Sequence, residues 1–154
     1  MIEDFTHVWR DWYRMNEDGR GNWKNWTRKI TDPKWRGPEG AKLAITLKME
    51  QTNRVAFLVT ENEFRFYRGK RRVYVCEKEV PGAHGLQTVL LDVADFKDVT
   101  EGLALKNWSQ LDQLGMAARL QGAVPHGLLK PSPDQAKSAP WSGPAPEFIR
   151  LEWK

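Results

Sequence analysis

This chain has a single cysteine, Cys76, which excludes an internal disulfide and any cysteine-rich metal site. No apolar run approaches the ~20 residues a membrane helix needs, so no membrane partner is expected. Residues 1–10, MIEDFTHVWR, are already acidic and aromatic rather than a basic-then-apolar leader. A leader removed from a longer precursor stays open. Charge of one sign is also scarce: 24 basic against 20 acidic side chains leave a net +4. That is short of the basic stripe of a dedicated nucleic-acid binder, although it leaves room for an anionic ligand. No Gly-x-Ser-x-Gly elbow, phosphate-cradling loop or His-Glu-x-x-His motif occurs, and no internal repeat is evident. His7, His84 and His126 are widely separated and read as solvated residues, not ligands. Pairs such as Glu61/Glu63 and Asp95/Asp98 read as turn and cap residues, not the facing carboxyls of a glycoside hydrolase. No catalytic role is assigned to any residue.

What the chain has is tryptophan. Eight occur in 154 residues, and Trp9, Trp12, Trp23, Trp26 and Trp35 fall within 27 residues, interleaved with Arg10, Arg14, Lys24, Arg28, Lys34 and Arg36. A core uses one or two such side chains. Five in a polar stretch suggest aromatic platforms, which stack on sugar faces or on nucleobases.

The middle of the chain alternates with the period of half-buried strands. Leu43, Ile45, Leu47 and Met49 form one such set, and Val55, Phe57 and Val59 a second. Phe64 and Phe66 oppose Arg65 and Tyr67, and Val73 and Val75 oppose Tyr74 and Cys76, with the two phenylalanines and two valines as the expected inward set. Leu86 to Val93 is apolar enough for a strand buried on both faces, and Met116–Leu120 reads as another strand. Turn signals at ten-residue spacing indicate a sandwich or barrel. One short helix is expected over Trp108–Gln113, capped by Asn107 and closed by Gly115. Residues 123–146 carry six prolines and read as a long Pro/Gly-rich surface excursion before a closing strand at Phe148–Trp153. That strand must return to a sheet, and the N-terminal segment is its expected partner, with Phe5 and Phe148 facing the core. One domain over residues 1–154, with its termini close together, is the geometry of a module within a larger protein.

The segments EGAKLAITLKME, LVTENEFRFYRG, GLQTVLLDVADFKD and NWSQLDQLGMAARL, with IEDF at the start and PEFIRLEW at the end, resemble the galactose-binding-like jelly rolls found among the carbohydrate-binding modules of polysaccharide-active enzymes. The resemblance implies an all-β fold, an antiparallel β-sandwich with one or two short helices. No cofactor is required, but the resemblance implies a structural calcium beside the first and last strands, where Glu3, Asp4 and Glu152 stand. It further implies an extracellular, periplasmic or cell-surface location within a secreted bacterial protein.

The candidate ligand residues come from the aromatics and one basic constellation. Trp23 and Trp26 differ by three and face opposite sides of a strand, so one points outward. Trp35 lies among turn formers in Asp32-Pro33-Lys34-Trp35-Arg36-Gly37-Pro38 and is the expected exposed ring. Trp141, in Pro140-Trp141-Ser142-Gly143-Pro144, either resembles it or anchors the long loop to the core. Trp108 shares a face with Leu111 and Leu114 and belongs to the core; Trp9 and Trp153 lie on the terminal strands. Arg65, Tyr67 and Tyr74, with Thr46 and Lys48, are expected to share one sheet face and to select hydroxyl, carboxylate or sulfate groups. The basic tip Arg68-Gly69-Lys70-Arg71-Arg72 favours an anionic chain nearby. The reading that follows is a non-catalytic module targeting a neighbouring catalytic domain to a polysaccharide or oligosaccharide, acidic or sulfated glycans included. The alternatives are an interaction domain without sugar affinity, and a small jelly-roll lyase or hydrolase using Tyr67 or Tyr74 with Arg65 and a histidine.

Overall fold

The computed structural model describes residues 2–6, 12–16, 23–27, 32–61, 72–111, 113–118 and 141–154. Its strands are β1 (Glu3–Asp4), β2 (Trp12–Asn16), β3 (Trp23–Thr27), β4 (Leu43–Lys48), β5 (Asn53–Glu61), β6 (Arg72–Val80), β7 (Gln87–Leu91), β8 (Lys97–Asp98), β9 (Gln113–Ala117) and β10 (Glu147–Trp153). They form a four-stranded sheet, β1-β10-β4-β7, and a six-stranded sheet, β2-β3-β9-β5-β6-β8. Every pairing is antiparallel. The result is the expected all-β sandwich, compatible with a jelly roll, and among the described residues its helical content is two 3-10 turns, Pro33–Trp35 and Val93–Asp95. The chain crosses between the sheets from β1 to β2, β3 to β4, β4 to β5, β6 to β7, β7 to β8 and β9 to β10. The two sheets therefore interleave along the sequence.

The core lies between the sheets. Leu43, Ile45, Leu47, Val89, Leu91, Phe148 and Leu151 from the smaller sheet meet Trp23, Val55, Phe57, Val59, Leu114 and Met116 from the larger one. β1 pairs with β10, Glu3 opposite Leu151 and Asp4 opposite Arg150. Phe5 and Phe148 are buried with ring centroids 6.0 Å apart, as the termini-together topology requires. A register shift between Phe148 and Arg150 keeps β10 useful along its length. Phe148 faces Leu47; the chain then takes one extra residue, so Leu151 faces Ile45 and Trp153 faces Leu43. Without that bulge, one-residue parity would turn either Phe148 or the Leu151–Trp153 pair away from the core.

Four sequence expectations are corrected. The helix over Trp108–Gln113 does not form: residues 108–110 make a turn, and Gln113 already belongs to β9. Asn107 does accept from the Ser109 backbone N–H, but the Trp108 indole is drawn away to donate to the Ala41 carbonyl at 2.8 Å. Trp108, Leu111 and Leu114 are nonetheless all buried, on a turn and a strand instead of one helical face. The strand expected at Met116–Leu120 begins earlier, as β9. The segment expected to be buried on both faces is an edge strand, β7, with Leu86 58% and Leu90 45% exposed. Finally, β6 has the opposite parity: Tyr74 and Cys76 enter the core between the sheets, while Val73 and Val75 join Ala56, Leu58, Ala117, Trp26 and Val99 in a second apolar cluster on the outer face. All four residues at 73–76 are apolar or amphipathic, so alternation marked two faces without saying which was inner.

Candidate functional site

Trp35 is 3% exposed. The turn that holds it starts at Asp32, whose carboxylate accepts from the Lys34 backbone N–H at 2.9 Å. Two indoles then clasp the following loop. Trp153 Nε1 donates to the Lys34 carbonyl at 2.9 Å, and Trp108 Nε1 donates to the Ala41 carbonyl. Between them the chain passes at Gly37, where a Cβ would sit 2.9 Å from Trp108 Cδ1 and from Trp153 Cε3. The prolines around Trp35 thus shape a loop pressed onto the sandwich, and the exposed platform expected there is a core residue. The Lys34 ammonium stands 5.6 Å from the Trp35 ring centroid and 3.9 Å from Glu3 Oε2.

At the end where β4 turns into β5, two of the expected ligand residues meet. Trp23, on β3, is 4% exposed and packs against half-buried Trp141 with centroids 5.2 Å apart and planes at 85°. Phe148 touches the same indole at 5.6 Å. Trp141 Nε1 donates to the Pro144 carbonyl at 3.2 Å, and its neighbour Ser142 is clamped by Asn53. The Asn53 side-chain N–H donates to the Ser142 carbonyl, and the Ser142 N–H donates back to Asn53 Oδ1, both at 2.8 Å. Trp23 Nε1 is buried with no hydrogen-bond partner. A buried donor left without an acceptor costs about 1–3 kcal/mol, so such atoms mark places worth explaining.

Trp26 lies on the opposite face of β3 from Trp23, as a spacing of three dictates. Its ring covers Gly115 on β9, where a Cβ would come within 2.8 Å. It is half-buried against the outer apolar cluster.

A third grouping sits at the base of the β5–β6 hairpin. Tyr74 Oη donates to Glu61 Oε2 at 3.4 Å and takes a side-chain hydrogen bond from Arg72, which is directly opposite Glu61. Burial pushes the Tyr74 phenol above its ordinary pKa, and the Glu61 carboxylate adds to the shift. The hydrogen bond to Tyr74 holds the Arg72 guanidinium all the more firmly protonated. Asp98, opposite Tyr74 on β8, is buried but satisfied by the Thr100 and Glu101 N–H groups, the turn role expected of it. Asp95 likewise closes a capping box with Asp92.

Arg65 and Tyr67 lie outside the described residues, as do His7, Trp9, His126, Arg68 to Arg71 and most of the 123–146 excursion. Of the expected constellation, Tyr74 faces inward at 5% exposure. Thr46 and Lys48 are on β4, in the other sheet, and share no face with it. The calcium triad is not assembled either. Asp4 accepts from the Thr6 N–H and hydroxyl, Glu3 pairs with Lys34, and Glu152 pairs with Arg150 at 3.0 Å and Lys154 at 3.9 Å. Among the described residues no three His, Cys, Asp or Glu side chains are placed to hold a metal. Asn53 and Ser142 were not singled out in the sequence: they are 89 residues apart, and no local pattern links them.

No protein-family model, curated protein or solved structure matches this chain. The site is read from its own geometry.

Proposed function

We propose that this protein is a non-catalytic carbohydrate-binding β-sandwich, an accessory module that holds an attached enzyme near a polysaccharide outside the cell. One observation carries the reading. Half-buried Trp141 packs on buried Trp23 at one end of the sandwich, with exposed Ser142 beside it, so aromatic surface and a hydroxyl hydrogen-bonding group lie in one place. Aromatic rings cover the apolar face of a pyranose while neighbouring polar groups select its hydroxyls. A single shallow site of this kind acts by raising local enzyme concentration. A glycan array probed with the isolated chain, followed by electrophoresis through polysaccharide-containing gels, tests the reading. Retention by at least one polysaccharide is expected, and no binding to any glycan would end it.

A second reading has an observation in its favour. Trp23, Trp35 and Trp108 are buried, and Trp153 is tied to the Lys34 carbonyl, so much of the tryptophan content serves packing. An interaction domain without sugar affinity fits that use, and the same array separates the two. The lyase alternative has less support. A tyrosine acting as a base needs its phenol lowered toward the working pH, and Tyr74 is shifted upward.

A further inference from the structure

The end of the sandwich that holds Trp23 is covered by residues 141–146, the segment leading into β10. Among the described residues it is held by the Trp141 ring on Trp23, the reciprocal pair of hydrogen bonds between Asn53 and Ser142, and the close approach of Gly143 to the Gln51 side chain. Underneath, the Trp23 indole N–H has no oxygen or nitrogen acceptor, although nearly every buried donor in a protein finds one. Among the described residues, the rings of Trp141 and Phe148 pack against it, set at 85° and 61°. A ring face is a far weaker acceptor than a hydroxyl or ether oxygen. In the closed arrangement, then, the donor is left unsatisfied by a cover that itself rests on a few local contacts.

We propose that the Trp141–Ser142 segment is a strap that lifts when an oligosaccharide seats at this end, and that Trp23 then donates its indole N–H to a sugar oxygen. The inference rests on the carbohydrate-binding reading and names its ligand-contacting donor. Lifting breaks the two Asn53–Ser142 bonds and exposes Trp23, while the Asn53 amide keeps its bond to the Gln51 carbonyl. Binding therefore works against a closed state, and the apparent affinity is the intrinsic one reduced by the fraction of molecules open at any moment. That gives an unusual sign to one substitution. Asn53→Ala unpins the strap and should raise affinity, by roughly three- to tenfold.

The test uses the 154-residue chain labelled with 15N and titrated with cellohexaose, xylohexaose, mannohexaose and hexagalacturonate. Each tryptophan gives its own indole N–H resonance, and the Trp23 signal is assigned in the parent chain from its through-space contacts to the Trp141 and Phe148 rings. In the parent chain that resonance should move downfield with the saturation curve of whichever hexasaccharide binds. Trp23→Phe should weaken the same titration roughly three- to tenfold, the range for one hydrogen bond formed only in the complex. Thermal melts establish that each variant is folded, and the parent resonance carries the test even where Trp23→Phe is not. A hexasaccharide that binds while the Trp23 resonance stays still, or that binds Asn53→Ala more weakly than the parent, overturns the strap and leaves carbohydrate binding standing. Failure of every hexasaccharide and of the whole glycan array removes both.

Discussion

Trp108 and Trp153 meet with ring centroids 5.3 Å apart and planes tilted by 49°, and both donate their indole N–H to carbonyls of one loop, at Ala41 and Lys34. The two rings come from distant parts of the chain, the turn before β9 and the last residues of β10. The loop they hold carries Trp35. A single clasp thus joins the 3-10 turn, both sheets and the C-terminal strand.

Trp35→Ala should cost folding stability and not ligand affinity. Removing a buried indole leaves a large cavity, and losses of about 3–5 kcal/mol are usual for such changes. Urea unfolding followed by far-UV circular dichroism reads this directly. A variant as stable as the parent would return Trp35 to the surface.

Gly37→Ala tests the clasp itself. The added methyl would meet both rings at 2.9 Å, closer than real Cβ contacts allow, so Trp108 and Trp153 must separate. Overpacking of this kind typically costs about 1–3 kcal/mol. The melting temperature should fall, with near-UV circular dichroism changing as the indole pair is disturbed. An unchanged near-UV spectrum would contradict the contact.

A chain ending at Glu147 loses all but the first residue of β10, which lies between β1 and β4. That deletion splits the smaller sheet and uncovers Trp23, Phe5 and Trp108. Loss of cooperative unfolding is expected, measured by calorimetry. A truncated chain melting at the parent temperature would disprove the strand order.

Burial, with help from Asp95, pushes the Cys76 thiol up to about 11 from its ordinary 9.0. The folded state therefore holds this proton more tightly than the unfolded chain. The stability linked to it is complete below pH 9 and is lost as pH rises to about 11. Cys76→Ala should flatten that alkaline limb relative to the parent in denaturation curves taken across this window. In the native protein the thiol should react with Ellman's reagent at pH 8 only on unfolding, because the thiolate is the reactive form and the group is buried.

Lys78 donates to the Leu90 carbonyl at 3.0 Å, and β7 is the edge strand that exposes Leu86 and Leu90. Lys78 reaches from β6 in the other sheet to occupy a carbonyl of this open edge, and a charge placed there blocks pairing with another strand. Lys78→Ala should increase concentration-dependent association in sedimentation velocity, and Leu90→Lys in the same chain should reverse it. No association in the single variant would show that the edge is protected by other means.

Local alternation in the sequence was enough to locate β4, β5 and the closing strand, because a half-buried strand must repeat every two residues. Spacing alone placed Trp23 and Trp26 on opposite faces of β3. The need to satisfy a lone closing strand was enough to bring Phe5 to Phe148. Which sheet a strand joins, and which of its faces is inner, was decided only by tertiary structure. At Val73 to Cys76 both faces are apolar, so the inner one is chosen by what packs across from it. Trp35 stands among turn formers and reads as exposed, but the indoles that hold its loop to the sandwich, Trp108 and Trp153, are supplied from far along the chain. Asn53 and Ser142 likewise acquire their roles through bonds across 89 residues. Periodicity records the geometry of a few consecutive residues, whereas burial and buried hydrogen bonds depend on which distant segments arrive.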